Sequence, residues 1–459
     1  MAFIMKFLKY LTIIILLFSP FYGFADAKVS ISGSQYKVIE IKPETNTGLN
    51  NIFVVYDTDG CTLKYASSNG YTTNVYRYSN LGGGYAEEIS NVDREVSSVS
   101  FPLTADDLGY IIEEGSNRYY CWVVNYANHK FSISSLTPSS APECEYSVLE
   151  FAGSASPIHY FTINGQSRVL SREIYLDYTT QEYDKEVSYF KNVDIRKVLE
   201  SVSPVVSVTP PAYCSTYFTL TGDRFLREWN MAASAETNTV QPYAVDCYTE
   251  AVQNEKDFGD EGSNIIKGDE STLGGSAPAE ISFTAATTEA VIHYEWQMSR
   301  DQEFDNPEYR FYQKDLDYTF TDDGTFYLRF VGSNADGTCS TYGDIFTVSI
   351  GASELKCPNA FSPNGDGVND VWKVSYRSLI EFSCEIFNRN GQKIYGFTDP
   401  TDGWDGTWHG KTVKPGVYYY VIIATGADGK KYKKSGDINI INSVTYSSGS
   451  TIPDVDYTE

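Results

Sequence analysis

The residues best suited to chemistry in this chain lie in Asn364-Gly365-Asp366-Gly367-Val368-Asn369-Asp370, which sets several oxygen side chains around two glycines. Calcium loops need that composition: carboxylates and carbonyls on a chain that glycine lets bend sharply. Asn364, Asp366, Asn369 and Asp370 are the candidate ligands, yet the helix–loop–helix calcium spacing is incomplete. No Asp opens the run, and Lys373 stands near the place of the closing Glu. A network of Asx turns without an ion explains the same residues. Catalysis finds less material. Nucleophilic catalysis needs a positioned histidine, and the four available are His129, His159, His293 and His409. None accompanies a G-x-S-x-G turn, and no P-loop, G-x-G-x-x-G or H-E-x-x-H run occurs. Sixty Asp+Glu supply carboxylate pairs in any fold, so their abundance argues for no glycosidase. No catalytic residue is predicted, and no cofactor beyond the calcium alternative.

Eight cysteines stand at 61, 121, 144, 214, 247, 339, 357 and 384, with no C-x-x-C spacing to suggest zinc. The start of the chain explains them. Lys6 and Lys9 precede the apolar run Leu11–Phe18, and Ala25-Asp26-Ala27 offers a small–x–small cleavage pattern, so residues 1–27 read as a secretory signal. The apolar run is about half of what a bilayer crossing needs, and no later segment is long and apolar enough to span. An exported chain favours disulfides. With 35 Lys+Arg against 60 Asp+Glu, the formal charge is −25, which excludes nucleic acid and docking on anionic lipid.

Aromatic residues make up 15% of the chain, with 37 Tyr, and 35 Gly are present; half-buried strands joined by turns use that mixture. In His293–Ser299, Tyr294, Trp296 and Met298 share one face; Phe326, Leu328 and Phe330 alternate in the same way. Thr162-Ile163-Asn164-Gly165 is a hairpin turn between two such runs. The fold class predicted is all-β, a tandem of β-sandwiches. Composition divides the chain into domains at 28–138 and 143–253 with a Ser/Pro-rich linker at Ser134–Pro142, an acidic Gly/Ser linker at 254–278, a third domain at 279–351, a short joint at Gly351–Lys356, a module at 357–442 and a polar acidic tail at 443–459. Cys61 leads an alternating run with Leu63 and Tyr65, and Tyr119-Tyr120-Cys121 has the form of a tyrosine corner, so the first domain is immunoglobulin-like in part. A Cys61–Cys121 bridge would close a loop of about sixty residues, stabilising by roughly 4 kcal/mol in the chain-entropy model. The third domain, with Asp323–Tyr327 leading into Asn334–Gly337, resembles PKD and immunoglobulin-like repeats of bacterial surface proteins. Its Cys339 has no evident partner nearby, and three cysteines in the second domain leave a bridge between domains open.

Four ordered blocks mark the last hundred residues. The first runs from Cys357 through Phe361-Ser362-Pro363-Asn364-Gly365-Asp366-Gly367 to Asn369-Asp370. Phe387-Asn388-Arg389-Asn390-Gly391 follows, then Trp404-Asp405-Gly406 with Gly410-Lys411, then Gly416-Val417-Tyr418. This succession resembles the gliding-motility-associated C-terminal domain of Bacteroidota, the type B sorting domain of the type IX secretion system. The resemblance implies a β-sandwich that steers the protein across the outer membrane, with the secretion machinery as partner. Two departures are visible: the chain continues past residue 442, and Asn390 stands where the family often has Trp. Within the module Cys357 and Cys384 are the natural pair, Trp404-Asp405-Gly406 is a packed turn, and Gly416 opens a central strand. Ten basic and nine acidic residues give residues 357–442 a charge near +1. Lys411, Lys414, Lys430, Lys431, Lys433 and Lys434 are candidates for one positive face, or for protection of exposed strand edges.

The function expected is that of an exported, non-enzymatic surface or secreted protein whose N-terminal domains bind an extracellular glycan or protein in adhesion. The alternatives are a structural component of the envelope or motility apparatus, and a secreted glycan-active enzyme.

Overall fold

The computed structural model describes residues 28–67, 69–254, 265–266 and 273–441. The predicted secretory signal, most of the predicted linker and the predicted tail lie outside the described residues. Among the described residues the fold is all-β, with one short helix, Arg224–Glu228, and a few single 3-10 turns. Among the described residues no helix is long and apolar enough to cross a membrane.

The first domain is a sandwich of a four-stranded and a six-stranded sheet. Cys61, Leu63 and Tyr65 alternate inward as the pattern predicts, and meet Phe53, Val55, Cys121 and Val123 from the facing sheet. The six-stranded sheet is buried on both faces, however. Its neighbours Asn51–Val55 and Asn117–Asn125 run parallel, and both read as near-continuous apolar runs, the mark of a strand covered from two sides. Ile52, Val54, Trp122 and Val124 turn away from the first core and enter a second, shared with Ile158, Tyr160, Leu176 and Phe218 of the next domain. Trp122 meets Phe161 at 5.7 Å, and the Trp229 indole donates to the Lys37 carbonyl at 2.8 Å.

A buried charge cluster crosses the same junction. Arg172 and Asp223 pair at 2.5 Å with both side chains fully buried. The Tyr126 hydroxyl donates to Asp223, Arg172 donates to the Ser156 and His129 carbonyls, and Asp223 caps the helix by accepting from the Leu226 amide. Each charge therefore has partners, the condition under which a buried pair is tolerated.

Three predicted boundaries move. Ser134–Pro142, expected as a linker, contributes to a strand: Ser132–Pro138 pairs with Ser147–Ser154 and belongs to the second domain. Cys247–Gln253 was assigned to the second domain but pairs along its length with Ala279–Thr287, forming the edge of the third. Leu273–Gly275, inside the predicted linker, adds a strand parallel to Phe346–Ile350. In each case a short polar or Gly-rich segment completes a ladder, because its backbone groups would otherwise be unpaired at a covered sheet. The third domain holds Trp296, Met298, Phe326, Leu328 and Phe330 in its core, as alternation predicts.

One disulfide is formed among the described residues, Cys144–Cys339, joining the second domain to the third. The other predicted pairs are not formed: Cys61, Cys121, Cys357 and Cys384 are thiols. Cys61 directs its sulfur to the Asp57 carbonyl at 3.3 Å instead of across the sandwich. Burial raises the Cys121 thiol above its ordinary range.

The C-terminal module closes around a five-stranded sheet, in the spatial order Ala360–Phe361, Lys431–Ile440, Gly416–Gly426, Leu379–Phe387, Lys393–Phe397. Gly416–Gly426 is central, as predicted. Glu354–Lys356, predicted as a joint, pairs with Ser375–Arg377 and is part of the module.

Candidate functional site

The registers of the five-stranded sheet decide where the four sequence blocks go. Gly416 pairs with Ile440, and Ile440 with Phe361, while Phe387 pairs with Tyr419. The first, second and fourth blocks therefore leave the sheet at one end, and the third joins them there through the ring contacts of Trp404 with Phe361 and Tyr418. At the opposite end Leu379 pairs with Gly426, and there the third domain is attached: Ala277 donates to Ser378 Oγ at 3.1 Å and Ser378 to Ser276 Oγ at 2.8 Å. The strands between the two ends are about 30 Å long. The blocks form a tip that points away from the joint.

Two tryptophans hold the tip. Trp372 and Trp404 are fully buried and exchange backbone hydrogen bonds of 2.8 and 3.0 Å. The Trp404 indole donates to the Thr407 carbonyl at 2.9 Å, and its ring meets Phe361 at 5.5 Å and Tyr418 at 5.2 Å. Asp405 accepts from both the amide and hydroxyl of Thr407. Gly406 has φ 75°, and a Cβ there would stand 3.0 Å from Pro363, so the first and third blocks lock together where only glycine fits.

The acidic loop is held by its own backbone. Asp370 accepts from the amides of Asn364 at 2.9 Å, Gly365 at 2.7 Å and Gly367 at 2.7 Å. Asp366 accepts from the Val368 amide at 2.8 Å, and Ser362 donates to the Asn369 carbonyl at 2.8 Å. The three amides hold the Asp370 carboxyl below its ordinary value. Both Asp370 oxygens thus face N–H donors, an arrangement that favours the Asx-turn reading over a cation cradle. Among the described residues no group of three or more His, Cys, Asp or Glu is placed to hold a metal. Asn388 closes the second block in the same way, accepting from the Asn390 and Gln392 amides, with Gly391 at φ 77°.

The six lysines do not form one face. Lys411 and Lys414 precede Gly416 and lie at the tip, whereas Lys430, Lys431 and Lys433 lie at the joint end, where Lys431 pairs with Thr425. Lys434 donates to the Leu355 carbonyl at 2.6 Å. Ala360–Phe361 covers only Asn439 and Ile440, so the lysine-bearing part of Lys431–Ile440 is close to an open edge, which charged side chains protect. Cys357 and Cys384 sit near each other in the core. Burial, with the Cys357 sulfur beside it, pushes Cys384 up to about 12, and Cys357 is hydrogen-bonded with Tyr420.

Of the histidines, His129 pairs with Asp107 at 2.5 Å, His293 contacts the Ala335 carbonyl, and His159 shares a hydrogen bond of 3.2 Å with the Ser167 hydroxyl on the exposed side of the Ile158–Phe161/Ser167–Leu170 hairpin. Sequence reasoning missed the outer side of the central strand, where Val417, Tyr419 and Ile423 are exposed. Their alternation with buried Tyr420 and Ile422 was the available signal.

Residues 355–440 match the CHU_C type IX secretion signal domain. This signal domain therefore begins with the Glu354–Lys356 strand and ends with the Lys431–Ile440 strand. Residues 136–237 match a fibronectin type III domain, and that segment starts within Ser132–Pro138, the strand that overlaps the expected linker Ser134–Pro142. No match was found among curated proteins. Among solved structures, the tetra-tandem repeat in the extending region of a large adhesion protein is 10% identical, covers 85% of this chain and 99% of that one, at a TM-score of 0.21. A Ca2+-stabilised adhesin with which an Antarctic bacterium binds ice is 10% identical over 90% of this chain and 98% of that one, at 0.19. Three N-terminal domains of the outer capsid protein Hoc of bacteriophage RB49 are 9% identical, covering 69% and 100%, at 0.21. At these scores the similarity carries no functional weight.

Proposed function

We propose that this protein is exported through an N-terminal leader at residues 1–27 and then carried across the outer membrane by its signal domain. Outside, the first three domains act in binding or adhesion without catalysis, either on the cell surface or in the medium. One observation carries this reading: the segment that matches a type IX secretion signal domain gathers its four sequence blocks at a single tip, about 30 Å from the joint with the cargo domains. That placement leaves the tip open to a secretion partner while the cargo stays folded at the other end.

The test compares the full chain with a truncation ending at Gly351 in the native host, by protease accessibility on intact cells and by recovery from the medium. The full chain is expected outside and the truncation in the periplasm. Periplasmic retention of both would overturn the sorting role.

A further inference from the structure

The long hairpin Ile174–Asp184/Tyr189–Leu199 of the second domain reaches over the third. On the Cys247–Gln253 strand, Cys247 and Ala251 pack toward the third core, so Tyr248, Glu250 and Val252 face outward. The hairpin tip lands there: the Tyr183 ring stacks on Tyr248 at 3.8 Å with planes 19° apart, and the Tyr183 hydroxyl is hydrogen-bonded with Glu250. Between tip and sheet lies a cleft of 540 Å³, lined among others by Tyr189, Phe190, Tyr248, Glu250, Lys314 and Asp315. Its volume is within the range of small-ligand sites. The two walls are tied together by Cys144–Cys339 and by hydrogen bonds of Glu289 to Ser215 and Gln181, so the cleft is formed in advance of any ligand.

We propose that this cleft binds a neutral saccharide, an inference that rests on the protein being an exported binder. A sugar ring has a C–H face and an edge of hydroxyls. Tyr189, 55% exposed on the hairpin, and Phe190 offer flat apolar surface to the first; Glu250 and Asp315 accept from the second, and Lys314 donates. Other ligand classes fit less well. Two carboxylates on a chain of charge −25 repel an acidic glycan. A cation finds Lys314 in the cleft and Lys185 already 5.8 Å from the Tyr248 ring. A peptide seeking main-chain hydrogen bonds would need the free edge of Cys247–Gln253, whereas the cleft opens on the face of that sheet, over Glu250 and its partner Thr284.

Native gels containing starch, xylan, laminarin or galactomannan, with alginate as the acidic comparison, test this on residues 28–459. At least one neutral polysaccharide is expected to retard the protein and alginate is not. Tyr189→Ala is expected to weaken the retardation tenfold or more, and Tyr71→Ala, altering a still more exposed ring on the first domain, to leave it unchanged. Absence of retardation by every neutral polysaccharide, or equal effects of the two substitutions, overturns the cleft. Adhesion of host cells with and without the gene separates the two levels. If adhesion depends on the protein while the cleft variants are silent, the binding role stands and the cleft falls; if neither responds, both fall.

Discussion

Asp370 shows how much of a loop a single carboxylate can organise. Its neighbours have the composition of a calcium loop, yet its two oxygens collect three amide protons, and backbone donors alone shape such a loop. Addition of EDTA is accordingly expected to leave the thermal midpoint of the purified chain unchanged, and a downward shift would restore the calcium reading. Asp370→Asn is expected to lower the midpoint of the signal domain, because the amide replaces one acceptor oxygen by a donor facing donors. The pH dependence follows from the sign of the shift. The folded carboxyl lies below its ordinary 3.8, so its contribution is full above the unfolded value and fades as pH falls through the folded one. In a titration of stability from pH 6 to pH 2, the Asn variant should lose less than the native chain. Trp404 stands at the other extreme, with no exposed surface and two ring neighbours. Trp404→Ala is expected to cost about 3–5 kcal/mol, read as a shift in urea midpoint followed by near-UV circular dichroism.

At the scale of elements, the junction of the first two domains depends on strands that face two cores. The buried Arg172–Asp223 pair is the polar part of that junction, and removing one partner leaves the other charged and uncompensated. Arg172→Met is expected to destabilise by about 3–5 kcal/mol, measured by urea denaturation. Replacing both residues with apolar ones of similar volume should recover much of the loss, which would separate the uncompensated charge from mere packing. A loss below 1 kcal/mol in the single variant would mean that solvent reaches the pair.

For the whole molecule, the first two domains should unfold as one unit. A fragment of residues 28–130 exposes Ile52, Val54, Trp122 and Val124, which the second domain covers. It is expected to aggregate or bind a hydrophobic dye, while residues 28–246 melt in a single cooperative transition. The second and third domains are coupled differently, through a disulfide that spans 195 residues. Cys339→Ser is expected to cost up to about 5 kcal/mol in the chain-entropy model. Limited proteolysis should then cut near residues 139–146, which connect strands instead of lying within one.

Much of this was legible in the sequence. Alternation identified Leu63 and Tyr65, Trp296 and Met298, and Phe326 through Phe330 as inward-facing, because a strand's period of two survives any tertiary arrangement. The four blocks of the signal domain were legible for a similar reason: glycines at positive φ and Asx turns are local demands. What tertiary structure alone decided were matters of partner. Trp122 and Val124 show only that both faces of a strand are apolar, not which domain covers the second. Cys61 and Cys121 have the right spacing, but a bridge also needs sulfur atoms aimed at each other. Lys411 and Lys431 look like one basic patch until the register places them at opposite ends of a sheet. Local periodicity is set by neighbours in the chain, whereas pairing, coverage and the cleft between Tyr189 and Glu250 are set by residues that meet only after folding.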